Sequence, residues 1–143
     1  MKSILVVCIG NICRSPMAQA LLARELPGVT VSSAGTGALE GYPADAMACR
    51  LMAERGLDIS AHRARQIGGL QCQQNDLILT MDEGQRRYIA QRYPSAVGKI
   101  FTLGAATRTE VPDPFRQDRG AFEHALTLIE TGTRAWAQRI RRL

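Results

Sequence analysis

Cys8 and Arg14, together with Asp113 far downstream, are the residues of this 143-residue chain best placed to do chemistry. The stretch Cys8-Ile9-Gly10-Asn11-Ile12-Cys13-Arg14-Ser15-Pro16 follows directly on the apolar run Ile4-Leu5-Val6-Val7. A short β-branched run, a glycine-containing loop and then Ser-Pro read as strand, loop and helix start, with Ser15 as N-cap and Pro16 at the first helical position. The first N–H groups of a helix have no partner within it and point at whatever lies ahead, so the loop is a natural seat for an anion. A thiol in the same ring of amides meets a field that favours its nucleophilic thiolate form. The planar fork of Arg14 can hold two oxygens of a tetrahedral oxyanion at once. Ile9, Gly10, Asn11, Ile12 and Cys13 would supply the amides between nucleophile and clamp. The stretch is neither a G-x-x-x-x-G-K-[ST] phosphate loop nor a G-x-G-x-x-G dinucleotide fingerprint; it brings its own nucleophile.

A thiolate that attacks a phosphate monoester also needs a proton donor, because a phenoxide whose conjugate acid has a pKa near ~10 leaves poorly unprotonated. Asp113 lies between Pro112 and Pro114, which hold the backbone in a stiff extended turn. Pro-Asp-Pro on its own is ordinary turn chemistry. Paired with the Cys8 loop, it reads as the acid.

The segment Val7 to Pro16, with Asp113-Pro114-Phe115, closely resembles the low-molecular-weight protein tyrosine phosphatases. The likeness covers nearly the whole chain and is greatest to bacterial members associated with exopolysaccharide or capsule synthesis. It implies that Cys8 is the nucleophile, that Arg14 and the loop bind phosphate, and that Asp113 serves as general acid and then as the base that activates water. It also implies that the Ser15 hydroxyl donates to the Cys8 thiolate, and that Asn11 fixes the loop with support from Ser33 and His62. No metal or other cofactor is called for. The implied partner is a phosphotyrosyl protein, in particular a cognate autophosphorylating tyrosine kinase that controls exopolysaccharide production. Leu39, Tyr42 and Phe115 are the candidates for an apolar rim around a phenyl ring. Many relatives carry a second aromatic where this chain has Arg116, so control through a phosphorylated tyrosine pair is not expected.

The elements that must position these groups follow from periodicity. Residues 2–7 read as a buried strand. Residues 16–26 read as a helix with an apolar stripe at Ala18, Leu21, Leu22 and Leu26. Residues 29–34 form a second strand, and 35–43 a glycine-rich loop. Residues 44–55 form a helix stopped by Gly56, and 76–80 a third strand. Asp82 to Gln85 opens a helix with a capping-box pattern. Residues 99–103 form a fourth strand, and a long final helix starts near Asp118 with a stripe of Phe122, Leu126, Ile129, Trp136 and Ile140. This alternation predicts an α/β fold: an open, mostly parallel four-stranded sheet with helices on both faces, flavodoxin-like, with sites beyond the carboxyl ends of the strands. The strand order 2-1-3-4 is taken from the resemblance.

Composition sets the outer bounds. At 45% hydrophobic, residues 1–143 are enough for one domain with a real core and too few for two. Lys2 and a short apolar run make neither a signal peptide nor a membrane span, and the expected location is the cytoplasm. The net charge of +5 comes from scattered basic residues with only 5% aromatics, so nucleic acid is not the expected partner, although a dianionic ester would be attracted. Cys8, Cys13, Cys49 and Cys72 form no C-x-x-C pair and no secreted framework. Cys13 is open to two readings, a small buried hydrophobe or a thiol that traps oxidised Cys8 as a disulfide. Two rivals share the loop. A thiol-dependent arsenate reductase needs further relay cysteines, but Thr80-Met81-Asp82 has none and Cys72 precedes the strand. A non-catalytic phosphate-binding module would have no use for both Cys8 and Asp113.

Overall fold

A computed structural model describes residues 1–143. Four strands, β1 (Ser3–Cys8), β2 (Thr30–Gly35), β3 (Leu77–Thr80) and β4 (Ile100–Thr102), form one sheet in the order β2-β1-β3-β4. Every pairing is parallel, with Ser3 to Cys8 set beside Thr30 to Gly35, Ile4 to Val7 beside Leu77 to Thr80, and Ile78 to Thr80 beside Ile100 to Thr102. β1 is central, and its run Ile4-Leu5-Val6-Val7 is wholly buried, as a strand covered on both faces requires.

The two-residue alternation of β1 divides the core in two. Ile4, Val6 and Cys8 face α1 (Arg14–Glu25), α2 (Ala46–Glu54) and α5 (Arg119–Arg141), packing with Met17, Leu22, Leu51, Met52, Leu126 and Ile129. Leu5 and Val7 face α3 (Gly69–Gln74) and α4 (Glu83–Arg92), packing with Cys72, Ile78 and Ile89. The predicted stripes of α1 and α5 are the buried ones. Because all strands run the same way, the loops after β1, β2, β3 and β4 gather at one edge of the sheet.

Acidic caps start three helices: Asp82, the expected one, accepts from the Gln85 amide at 2.7 Å, Asp118 accepts from that of Ala121 at 3.0 Å, and Asp45, which the periodicity places inside a helix over 44–55, instead caps α2 by accepting from the Met47 amide at 2.8 Å. The first helix departs from expectation. It begins at Arg14 with Cys13 in the N-cap position and no side-chain cap, which puts Ser15 inside the first turn and Pro16 third. Proline is tolerated there because that amide would have no partner within the helix anyway. The Ser15 hydroxyl is drawn to the loop instead. The sequence offers no signal for α3, since six residues of mixed polarity carry no readable period.

Gly35, at the end of β2, is where the sheet meets the loop after β1. A Cβ there would stand 2.2 Å from the Ile9 carbonyl oxygen, so only glycine lets β2 pass so close.

Candidate active site

The Cys8 loop is held from outside through its carbonyls. Cys8 O accepts from the Thr36 amide at 3.0 Å, Ile9 O from Gly37 at 3.0 Å, Gly10 O from Leu39 at 3.1 Å and Ile12 O from Asp45 at 2.8 Å. Asn11 O takes the remaining bond, from His62 Nε2 at 2.6 Å. With the carbonyls turned outward and engaged, the amides of Ile9 to Cys13 are left without carbonyl partners, and they line a concave nest at the start of α1.

Asn11 fixes the curl. Its backbone has φ of +60°, a left-handed conformation that asparagine tolerates better than most residues. Its Nδ2 donates to Ser15 Oγ at 2.7 Å and to Ser33 Oγ at 3.0 Å, and its Oδ1 accepts from the Arg65 amide at 2.9 Å. Ser15 Oγ lies 2.9 Å from Cys8 Sγ. Because Asn11 already donates to that hydroxyl, its own proton is free to point at the sulfur. Two supports went unread in the sequence. Gln19 Oε1 accepts from Ser33 Oγ at 2.6 Å, and Arg65 Nε donates to Ser33 O at 3.0 Å. Neither position carries a local signal.

Arg14 is 2% exposed although it is an arginine. Its Nη1 donates to Val111 O at 2.9 Å, and its Nη2 stands 3.6 Å from Asp113 Oδ2. The Asp113 side chain is 43% exposed, and its Oδ1 accepts from the Phe115 amide at 3.1 Å, which fixes the carboxyl at the mouth of the nest. The guanidinium is thus oriented by the same segment that carries the carboxyl.

A cleft of about 160 Å³ is lined by Cys8, Ile9, Gly10, Ile12, Cys13, Arg14, Gly37, Leu39, Asp113 and Phe115. Nucleophile candidate, amides, clamp and acid candidate therefore share one cavity, walled by Leu39 and Phe115. Tyr42 does not line it; the residue is 59% exposed, three positions on from Leu39, whose carbonyl accepts from its amide. Arg116, at φ +62°, lays its guanidinium 5.1 Å from the centre of the Phe115 ring. Cys13 is buried, and burial, followed by the negative charges at Asp45, Cys8 and Asp113, pushes its thiol up, so it stays protonated at neutral pH.

Burial also pushes the half-buried His62 below the usual histidine range, against the raising effect of its bond to the Asn11 carbonyl, with Arg63 and Arg65 adding to the drop. The folded protein therefore resists a proton that the unfolded chain takes up near pH ~6.5. Stability from this group is full above that pH and falls as the pH drops through it. Urea unfolding midpoints should decline more between pH 7.5 and 5.5 for the unaltered protein than for His62→Gln; parallel declines would refute this.

A family description, low molecular weight phosphotyrosine protein phosphatase, matches residues 3–143. The chain is 55% identical over 142 residues to the probable low molecular weight protein-tyrosine-phosphatase EpsP of Ralstonia nicotianae, spanning 99% of this chain and 98% of that one. The solved structure of Vibrio vulnificus Wzb in complex with benzylphosphonate superposes with a TM-score of 0.94 at 42% identity, covering 96% of this chain and 98% of that one. The YwlE arginine phosphatase from Geobacillus stearothermophilus superposes with a TM-score of 0.92 at 36% identity, covering 99% and 94%.

Proposed function

The chain belongs to the low molecular weight phosphotyrosine protein phosphatase family, and from that premise we propose that it works by two in-line displacements through a cysteinyl-phosphate. In the first, the Cys8 sulfur bonds to phosphorus as the phosphorus–oxygen bond to the tyrosine breaks, and Asp113 gives its proton to the leaving phenolic oxygen. In the second, the Asp113 carboxylate takes a proton from a water whose oxygen attacks phosphorus. The sulfur–phosphorus bond breaks, inorganic phosphate leaves, and Cys8 returns as thiolate.

The amides of Ile9 to Cys13 and the Arg14 fork stabilise charge on the equatorial oxygens in both steps. Ser15 supports the thiolate when it is the leaving group. Asn11, Ser33 and His62 hold the loop in shape, and Leu39 and Phe115 grip the ring. The observation that carries this reading is the convergence of Cys8, the unpaired amides, Arg14 and Asp113 in one cleft.

The substrate is a phosphotyrosyl protein, and its resemblance to exopolysaccharide-associated relatives points to an autophosphorylating tyrosine kinase that controls that export. Cytoplasmic residence fits four free cysteines and the lack of any helix long and apolar enough to cross a membrane. The arsenate reading is disfavoured because Cys72 packs on the face of the sheet opposite Cys8, out of reach of a relay.

The test is phosphate release in EDTA from phosphotyrosyl, phosphoseryl and phosphoarginyl peptides, with Asp113→Ala alongside. Turnover should be selective for phosphotyrosine, unaffected by the chelator, and slowed about 100-fold or more in the variant. Preference for phosphoarginine would move the chain's activity toward that of YwlE. An inert protein that reduces arsenate with added thiol would replace the proposal. Failure to dephosphorylate a tyrosine kinase from the same cell, by enzyme active on peptides, would remove the partner.

A further inference from the structure

Gln85, three residues past the cap of α4, belongs to a capping-box pattern, but its side chain does not close the box. The backbone half forms, with Asp82 accepting from the Gln85 amide. The carboxamide reaches one residue further back, and Oε1 accepts from the Met81 amide at 2.9 Å. The residue is 5% exposed and Nε2 has no partner at all. A buried donor left unpaired costs stability, so an apolar side chain of the same length would suit this position better if packing were all that mattered. What glutamine adds is the acceptor.

That acceptor begins a line of hydrogen bonds into the cleft. Met81 O accepts from the Val111 amide at 3.0 Å, and Val111 O accepts from Arg14 Nη1 at 2.9 Å. Asp113 follows two residues later and stands 3.6 Å from the same guanidinium. Met81, Val111 and Arg14 are all buried, so no bond in the line competes with bulk water. A second tie runs parallel at the surface, where Glu110 Oε2 accepts from the Glu83 amide at 2.9 Å. The start of α4 is thus the bracket on which the segment 110–113 hangs.

We propose that Gln85 is a positioning residue that sets Arg14 and Asp113 against each other by pinning Met81. This rests on the phosphatase reading above and adds to it a residue that touches neither substrate nor reacting atoms. If Met81 shifts, Val111 shifts with it, and the fork and the carboxyl lose their common reference. Protonation of the leaving oxygen suffers most, because it demands the tightest placement of Asp113.

The experiment compares Gln85→Met and Gln85→Glu with the unaltered protein on phenyl phosphate and p-nitrophenyl phosphate, together with thermal unfolding. Methionine keeps the length and drops the acceptor, whereas glutamate keeps an acceptor oxygen. Gln85→Met should lower kcat/KM on phenyl phosphate about tenfold, with a smaller loss on p-nitrophenyl phosphate, whose leaving group needs a proton less. Its unfolding midpoint should stay near that of the unaltered protein, because the lost bond and the removed orphan donor offset one another. Gln85→Glu should restore the leaving-group dependence. Unchanged kcat/KM on both esters in Gln85→Met overturns the proposal. So does an equal loss on both esters, in both variants, that tracks a fall in unfolding midpoint, which would make the role structural. An unaltered protein inert on both esters overturns the phosphatase reading itself, and this inference with it.

Discussion

Cys8→Ser is expected to release no measurable phosphate from a phosphotyrosyl peptide, a loss of at least about 10⁴-fold, while still binding that peptide. The sulfur is buried in the lining of the cleft, 2.9 Å from Ser15 Oγ, at the start of the loop whose amides have no carbonyl partner. A serine hydroxyl in the same place is a far weaker nucleophile, and the one side chain bonded at that position, the Ser15 hydroxyl, is not a base. The proposed phosphate seat is untouched, because it consists of backbone amides and Arg14. Phosphate release, titration with the peptide and thermal unfolding separate the cases. Lost turnover with retained binding and a folded protein supports the assignment; turnover within tenfold of the unaltered protein would sink it.

Arg14→Lys keeps the charge and should nevertheless lower kcat/KM about 10³-fold. The guanidinium does several things at once: Nη1 is tied to Val111 O, Nη2 stands 3.6 Å from Asp113 Oδ2, and the side chain lines the cavity. An ammonium is a point donor that cannot satisfy the Val111 carbonyl and also lie along two oxygens of a tetrahedral anion. The loss therefore reports geometry rather than charge. The variant should also lose about 1–3 kcal/mol of stability, the cost of a buried acceptor left unmatched. Steady-state kinetics and urea unfolding on the same preparation test both. A kcat/KM within threefold of the unaltered protein would mean that charge alone suffices.

The pattern of local elements is legible from residues a few positions apart. The apolar run before Cys8, the Asp82 cap of α4, and the stripe Phe122, Leu126, Ile129, Trp136 and Ile140 each follow from local spacing, and each is found where the spacing puts it. That Cys8, Arg14 and Asp113 belong together is legible too, and the three line one cleft: a loop between strand and helix narrows what a cysteine and an arginine can do, and an acid is what the proposed chemistry still needs. Ser15 shows the limit of that reading. By local rules it caps a helix, yet in the folded chain its hydroxyl sits between Asn11 and Cys8.

The sequence by itself determined the succession of strands and helices, the short α3 apart, and the identity of the chemical groups, since periodicity, caps and loop composition are properties of neighbouring residues. Only the tertiary structure decided which distant groups would complete the site. Arg65 lies 54 residues from the Asn11 it steadies, Val111 lies 97 from the Arg14 it orients, and Gly35 is needed only because the Ile9 carbonyl passes so near. Tyr42 is exposed and outside the cleft lining, which its position in the loop after β2 does not reveal. A buried donor or acceptor must find a partner, and nothing in its own stretch of chain says which one the packed fold will bring within 3 Å.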